Sequence, residues 1–352
     1  MDRRYFSDKL VKWYLLNKRD LPWRETKDPY KIWLSEVILQ QTRVNQGMPY
    51  YLSFVEKFPD VRSLASASEQ EILRLWQGLG YYTRARNLHR CAQEVLNHHK
   101  AVFPRDFQTL KKLRGIGDYT AAAISSFSNN EKVAVVDGNV FRVLSRVFGI
   151  DKEINSPEGK KVFTSLANEL ISSKRPDLHN QAIMEFGALQ CVPRNPDCNQ
   201  CIFLHGCFAA ANSIQDQLPV KIKPKVSRKR YFYYFVIQKG HSLLMKKREG
   251  KDIWHGLFDF LLLEKKSPTG INKLVAQLNS DIQVSIHANS VKISGLYKHS
   301  LSHQTIYSKF ILMKEYPENL VKEPFEFYSA KKINSLPKPV LISRFLADYN
   351  LL

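Results

Sequence analysis

With 352 residues, 44% of them hydrophobic and 24% charged, the chain has the size and composition of two globular domains, which excludes a largely disordered or fibrous protein. Its 53 Lys and Arg outnumber 33 Asp and Glu, and a formal net charge of +20 favours polyanionic partners, nucleic acid first among them. There is no apolar run of about eighteen residues, Met1-Asp2-Arg3-Arg4 does not open a signal peptide, and five cysteines do not make a secreted disulfide scaffold. The expectation is a soluble, cytoplasmic protein with no membrane contact.

In chain order, residues 1–211 read as helical. Apolar residues recur at three- and four-residue spacing in Phe6–Leu16, Ile32–Thr42, Glu69–Trp76, Arg84–Leu96 and Val162–Ile171, with breakers such as Asp28-Pro29 and Phe103-Pro104 between them. Residues 212–230 read as an exposed basic linker, because Pro219 and Pro224 interrupt it and Lys and Arg dominate 221–230. Residues 231–352 read as an α+β domain. Its strands are expected at Tyr231–Ile237, Ser242–Lys246, Trp254–Leu263, Val291–Tyr297 and Gln304–Met313, with a helix at Gly270–Leu278.

Several short stretches carry chemistry. Leu113-Arg114-Gly115-Ile116-Gly117-Asp118-Tyr119 joins two helical segments. The Gly115-Ile116-Gly117 turn permits positive φ and leaves backbone N–H groups free at a helix N-terminus, a grip for one phosphate; an ordinary helix–turn–helix joint has the same pattern. Ile116 would tuck back between the helices. Glu36 lies mid-helix among Trp33, Val37, Ile38 and Leu39, where desolvation raises a carboxyl pKa. Asp137 precedes Gly138-Asn139-Val140 at a helix start, where N–H donors lower one. Two carboxyl groups pushed apart in this way suit one acid and one charge stabiliser. Cys191, Cys198, Cys201 and Cys207 form C-x6-C-x2-C-x5-C, which reads as a metal site, of structural zinc or of iron and sulfur. Cys91 stands apart on a helix as a buried thiol.

The hairpin followed twenty residues later by Asp137, together with Leu21-Pro22-Trp23-Arg24, Trp33-Leu34-Ser35-Glu36, Gly78-Leu79-Gly80-Tyr81-Tyr82 and Val136-Asp137-Gly138-Asn139, resembles the helix–hairpin–helix DNA glycosylases, and within them the adenine-removing branch. That resemblance implies an all-α helix–hairpin–helix glycosylase domain with an iron–sulfur loop, then a Nudix-like α+β domain. It implies base-excision repair of double-stranded DNA carrying adenine opposite 8-oxoguanine or guanine, by a monomer associated with a bacterial nucleoid. Glu36 would protonate adenine at N7, and Asp137, oriented by Asn139, would stabilise the oxocarbenium sugar. Arg19, Trp23 and Glu185 would line the adenine pocket, while Gln41 and Tyr81 would wedge into the duplex. The four cysteines would hold a 4Fe–4S cluster.

Bifunctional endonuclease III-like relatives carry a lysine where this chain has Tyr119. A tyrosine cannot form their Schiff base, so base removal without strand cleavage is expected, and the resemblance implies that the Tyr119 hydroxyl hydrogen-bonds Asp137 and the sugar region. Leu243–Arg248 and Trp254–Phe260 resemble the opening of a Nudix fold, but Ile271–Leu278 lacks the carboxylates that hold magnesium there. Nucleotide hydrolysis is therefore not expected. Instead His299-Ser300-Leu301-Ser302-His303 is expected to read the opposite base through Ser302 and His303, with Leu301 where the family commonly has Phe. The competing readings are an endonuclease III-like pyrimidine glycosylase/lyase, opposed by Tyr119 and the second domain, and a non-catalytic reader of DNA structure, opposed by the intact carboxylate pair.

Overall fold

A computed structural model describes residues 3–222, 227–250, 252–283, 285–301, 303–313, 316–321 and 323–352. These fall into two compact units, Met1–Ser66 with Asn87–Lys223, and Ala67–Arg86 with Pro224–Leu352. The segment 67–86 thus packs with the C-terminal region, although chain order runs it through the helical part. No described helix is long and apolar enough to cross a membrane.

The first unit is helical. The Arg3–Asn17, Gly138–Phe148, Pro157–Leu170 and Pro176–Leu189 helices share one core, in which Phe6, Phe163, Phe186 and Phe203 are fully enclosed. The Pro29–Leu39 helix is buried along almost its whole length, including Trp33 and Ile38, as expected of a helix apolar on all sides. Asp28 caps its N-terminus by accepting from the Tyr30 N–H, and Pro29 fills the first turn. The apolar spacing suggested helix through Thr42. It stops at Leu39 because Gln41 takes a left-handed φ of 55°.

The hairpin forms between the short Phe107–Leu110 helix and the Asp118–Asn129 helix. Leu113 and Ile116 are buried, as expected of its plug, and Gly115 takes φ of 78°. A Cβ at Gly115 would stand 2.9 Å from the Asn87 Cβ, so both backbone and space demand glycine there. Gly117 differs: it is the extended N-cap of the second helix, at φ −94° with open space where a Cβ would stand.

The second unit holds a mixed sheet in the order β3-β2-β1-β7-β5, with β4 pairing β1, β6 pairing β7 and β8 pairing β2. The strands are β1 Arg228–Lys239, β2 Ser242–Lys247, β3 Phe258–Asp259, β4 Leu261–Lys265, β5 Val291–Ile293, β6 Tyr297–Ser300, β7 Gln304–Met313 and β8 Glu326–Ser329. The β1–β7 pairing is parallel, and the interior of β1 is almost continuously buried, as its aromatic and β-branched run suggests. Residues 228–230, expected in the linker, already belong to β1. Two expected strands are broken. Trp254 and Gly256 take φ of 63° and 83°, which no strand accommodates, so pairing begins only at Phe258. Val291–Tyr297 divides into β5 and the start of β6 at Ser294, whose N–H still donates to the Phe310 carbonyl but whose Oγ accepts from the Phe310 N–H. The expected helix runs on to Ile282 and so includes one carboxylate, Asp281, at its far end.

Urea denaturation should separate the two hairpin glycines. Gly115→Ala is expected to cost about 1–3 kcal/mol, and Gly117→Ala less than about 1 kcal/mol.

Candidate active site

Glu36 sits on the enclosed helix with 6% of its surface exposed. Burial pushes its carboxyl up to about 7; nearby Asp137 adds to this, while the Tyr119 hydroxyl and Arg24 oppose it. The Asp118–Asn129 helix packs on this helix and delivers Tyr119, whose hydroxyl donates to Glu36 Oε2 at 2.6 Å. This departs from the expected bond to Asp137. Burial and the neighbouring Glu36 and Asp137 charges drive the phenol's own pKa well above its usual value, so it stays a donor and pairs with the less satisfied carboxyl.

Asp137 ends an irregular segment held by two asparagines. Asn168 Oδ1 accepts from the Ala134 N–H, and Asn180 Oδ1 from the Val135 N–H, each at 3.0 Å. Asp137 then caps the Gly138–Phe148 helix, its Oδ1 accepting from the Asn139 and Val140 N–H groups at 2.9 and 2.8 Å. The Asn139 side chain donates to Oδ2 at 2.8 Å, and Arg142 fixes Asn139 by donating to its Oδ1 at 2.9 Å. Arg142 also donates to the carbonyls of Gly187 and Cys191, which ties the Asp137 cap to the cysteine loop. A Cβ at Gly187 would stand 2.7 Å from that of Asn139; the close approach of the two helices needs glycine here.

The expected fall in the Asp137 pKa is reversed. Burial pushes the carboxyl up, and the Val140 and Asn139 hydrogen bonds with Arg142 offset only part of that. Removing a carboxylate from water costs more than three hydrogen bonds return.

Glu36, Tyr119, Asp137 and Asn139 line one cavity of about 530 Å³ with Arg19, Trp23 and Glu185. Glu185 is enclosed and gripped by two guanidinium groups. Arg19 donates to Oε1 and Oε2 at 2.9 and 2.6 Å, and Arg24 does the same. Burial raises the Glu185 pKa, but these bonds prevail and hold it at about 2. Of the three carboxyl groups at the cavity, Glu185 is thus held as a fixed anion, while Glu36 and Asp137 are both pushed up by burial.

The four clustered cysteines line a separate small cavity and form no disulfide, and Cys91 is buried as expected. Arg146 Nη1 approaches Cys191 Sγ at 3.5 Å, the Phe203 N–H approaches Cys201 Sγ at 3.4 Å, and Gln215 Nε2 approaches Cys198 Sγ at 3.7 Å. The Cys207 thiol faces the Arg146 carbonyl at 3.3 Å. No three His, Cys, Asp or Glu among the described residues are drawn together as ligands of a single ion.

Other expected site residues lie elsewhere. Gly115 and Gly117 are exposed on the hairpin, and exposed Gln41 follows the Glu36 helix on left-handed backbone. In the second unit, Tyr81, Leu301 and His303 line a cavity of about 540 Å³. Tyr81 is 41% exposed and also left-handed, at φ 48°. Ser302 lies outside the described residues.

Comparison with known proteins gives this geometry a family. Residues 34–169 match the HhH-GPD superfamily of base excision DNA repair proteins, and residues 233–348 match the NUDIX domain. An adenine DNA glycosylase of Buchnera aphidicola (subsp. Schizaphis graminum) is 33% identical over 343 residues, covering 95% of this chain and 96% of that protein. This chain belongs to the adenine DNA glycosylase family. The adenine DNA glycosylase of Homo sapiens is 41% identical over 222 residues, 60% of this chain and 41% of that protein. A thermostable thymine-DNA glycosylase structure shares 29% identity and a TM-score of 0.56 over 60% of this chain and 97% of that one.

In this adenine DNA glycosylase family member, sequence reasoning passed over two arginines. Arg24 stands in the quoted Leu21-Pro22-Trp23-Arg24 stretch, one residue from Trp23, yet nothing in that spacing shows that it meets Glu185, 161 residues away. Arg142 lies one turn beyond Asn139 on the same helix face, a signal that was available.

The raised Glu36 pKa makes a prediction for stability. The folded state binds more protons than the unfolded state between about pH 4.5 and 7, so this residue's contribution falls as pH rises through that window. Glu36→Gln should therefore stabilise the fold at pH 8, by up to about 3 kcal/mol, and by little at pH 4. Thermal melts of both proteins at the two pH values check it; a pH-independent difference would contradict it.

Proposed function

We propose that this adenine DNA glycosylase family member removes adenine opposite 8-oxoguanine or guanine in double-stranded DNA, by N-glycosidic hydrolysis without strand cleavage. The observation that carries this reading is the pairing of a buried Glu36, with its pKa near 7, and a helix-capping Asp137 in one cavity. Adenine leaves poorly until protonated. With Tyr119 donating to Oε2, Glu36 keeps its proton on the other oxygen and delivers it to N7. The C1′–N9 bond then breaks, its electron pair leaves with the base, and Asp137 stabilises the oxocarbenium sugar by its charge or by transient attack at C1′. Water adds at C1′ and an abasic site remains.

Extruding the base costs a few kcal/mol of stacking. Gln41 and Tyr81, both on strained left-handed backbone, are suited to fill the vacated stack. Trp23 and the Arg19–Glu185 pair form the polar and aromatic wall of the adenine pocket. The hairpin N–H groups around Gly115 and Gly117 grip one phosphate. In the second unit, Leu301, Ser302 and His303 read the opposite base. The enzyme acts as a monomer within the cytoplasm.

Four thiols around one cavity, three of them approached by N–H donors, are suited to hold a 4Fe–4S cluster. When bound, the cluster would cross-link the 191–207 loop and hold exposed Arg194 toward the DNA backbone. Purified protein is expected to contain about four iron atoms per chain and to show iron–thiolate charge-transfer absorption. Zinc in place of iron would overturn the assignment.

The activity test uses duplexes with A opposite 8-oxoguanine, A opposite T, T opposite G, and thymine glycol, each assayed with and without alkali. Release of adenine only from the first, with breaks appearing only after alkali, is the expected result. The single-turnover rate should fall about tenfold per pH unit above pH about 7, as Glu36 loses its proton. Glu36→Gln should abolish cleavage and preserve binding. Binding without base release from any duplex would sink the proposal, and efficient borohydride trapping on DNA would contradict the monofunctional part.

A further inference from the structure

We infer that Arg146 is the counter-ion of the cysteine cavity: its enclosed guanidinium offsets the negative charge of four thiolates and biases a bound 4Fe–4S cluster toward its more reduced state. The inference goes beyond the cluster reading above and rests on it.

Arg146 lies inside the Gly138–Phe148 helix with 2% of its surface exposed. The other inward positions around it, Val140, Val143, Leu144 and Val147, are apolar. A guanidinium is kept in such a place only when its donors are met. Nε donates to the Gln215 and Leu218 carbonyls at 2.9 and 3.1 Å. Nη1 donates to the Val192 carbonyl at 2.8 Å and reaches Cys191 Sγ at 3.5 Å, while Nη2 donates to the Pro193 carbonyl at 3.0 Å. The Arg146 carbonyl faces the Cys207 thiol at 3.3 Å. One side chain thus holds the chain at the start of the cysteine loop and again beyond its end.

These partners satisfy the hydrogen bonds and leave the charge. Four of them are carbonyl dipoles, and among the described residues no carboxylate forms an ion pair with Arg146. Arg142, one turn earlier, differs: it bonds Asn139 Oδ1 and so joins the Asp137 carboxyl. An ion taken out of water without a counter-charge is costly to enclose. Arg146 lines the small cavity with Cys191, Cys198, Cys201 and Cys207, and these can supply that charge. Asp197 also lines it, but Asp197 is exposed and its Oδ1 accepts from the Gln200 N–H.

Cysteines bind iron as thiolates, and four of them outweigh the positive charge of an iron–sulfur core. Reduction adds one more negative charge to that assembly. A fixed cation in contact with a ligand sulfur stabilises the added electron, and enclosure keeps water from screening the attraction. The same bias opposes oxidation of the resting cluster.

The test compares full-length, iron-loaded proteins by dye-mediated redox titration followed with electron paramagnetic resonance. Arg146→Gln removes the charge, and Arg146→Lys keeps the charge but loses the fork. At a fixed potential, the ratio of reduced to oxidised cluster should fall at least about tenfold in Arg146→Gln. In Arg146→Lys it should stay within about threefold of the unaltered protein. If Arg146 only holds loop carbonyls, both variants lose iron faster to a chelator and the midpoint stays where it was. An unmoved midpoint in Arg146→Gln overturns the proposal, as does an equal shift in both variants. Should Arg146→Gln fail to fold, the unaltered protein is grown on isotope-labelled arginine and studied by pulsed paramagnetic resonance. Coupling of a guanidinium nitrogen to the cluster, of the size a sulfur contact gives, supports the inference, and its absence overturns it. Iron missing from the unaltered protein defeats the cluster reading and this one with it; iron present with an unmoved midpoint defeats this one alone.

Discussion

The constraint on which the first unit depends is the removal of carboxyl groups from water at one cavity. Each of the three is compensated in a different way, and the differences define the chemistry. Glu185 meets two guanidinium groups and stays ionised. Asp137 meets the N–H groups of a helix start and an oriented asparagine. Glu36 meets one phenol, and burial with the nearby Asp137 outweighs that phenol and Arg24, so it is the group that keeps a proton near neutral pH. The surrounding elements deliver these partners: the hairpin helix brings Tyr119, the capped helix brings Asn139 and Arg142, and the segment after the first helix brings Arg19 and Arg24.

A chain of contacts runs from Asp137 through Asn139 and Arg142 to the Cys191 carbonyl and so joins the cysteine loop to the cavity that holds Glu36 and Asp137. Arg142 is buried and its guanidinium also meets the Gly187 and Gly138 carbonyls, so it has little freedom to reposition. Among the described residues, Arg142 is therefore the one side chain that joins the Asn139–Asp137 pair to the loop.

Much of the fold was legible because local signals and tertiary packing agree. The Arg3–Asn17 and Thr83–His98 helices follow their apolar periodicity, and the β1–β2 hairpin turns at Gly240-His241 as its composition indicates. Asp137 was legible as a cap because its neighbours are a helix start. What could not be read depends on distance in sequence. The bond from Tyr119 goes to Glu36 because packing places that carboxyl nearest, and no local pattern encodes the choice. The sign of the Asp137 shift was misjudged because hydrogen bonding is visible in sequence and enclosure is not. Trp254 defeated the strand pattern, since nothing in the local alternation encodes its left-handed backbone.

The account turns on Glu36 carrying a proton near neutral pH, which isotope-edited infrared spectroscopy can observe directly. Protein labelled at the glutamate carboxyl carbons is compared with the Glu36→Gln variant across the pH range, and the difference isolates one C=O stretch. The account predicts a protonated carboxyl signal that disappears with a midpoint near pH 7. A Glu36 already ionised at pH 5 would contradict it.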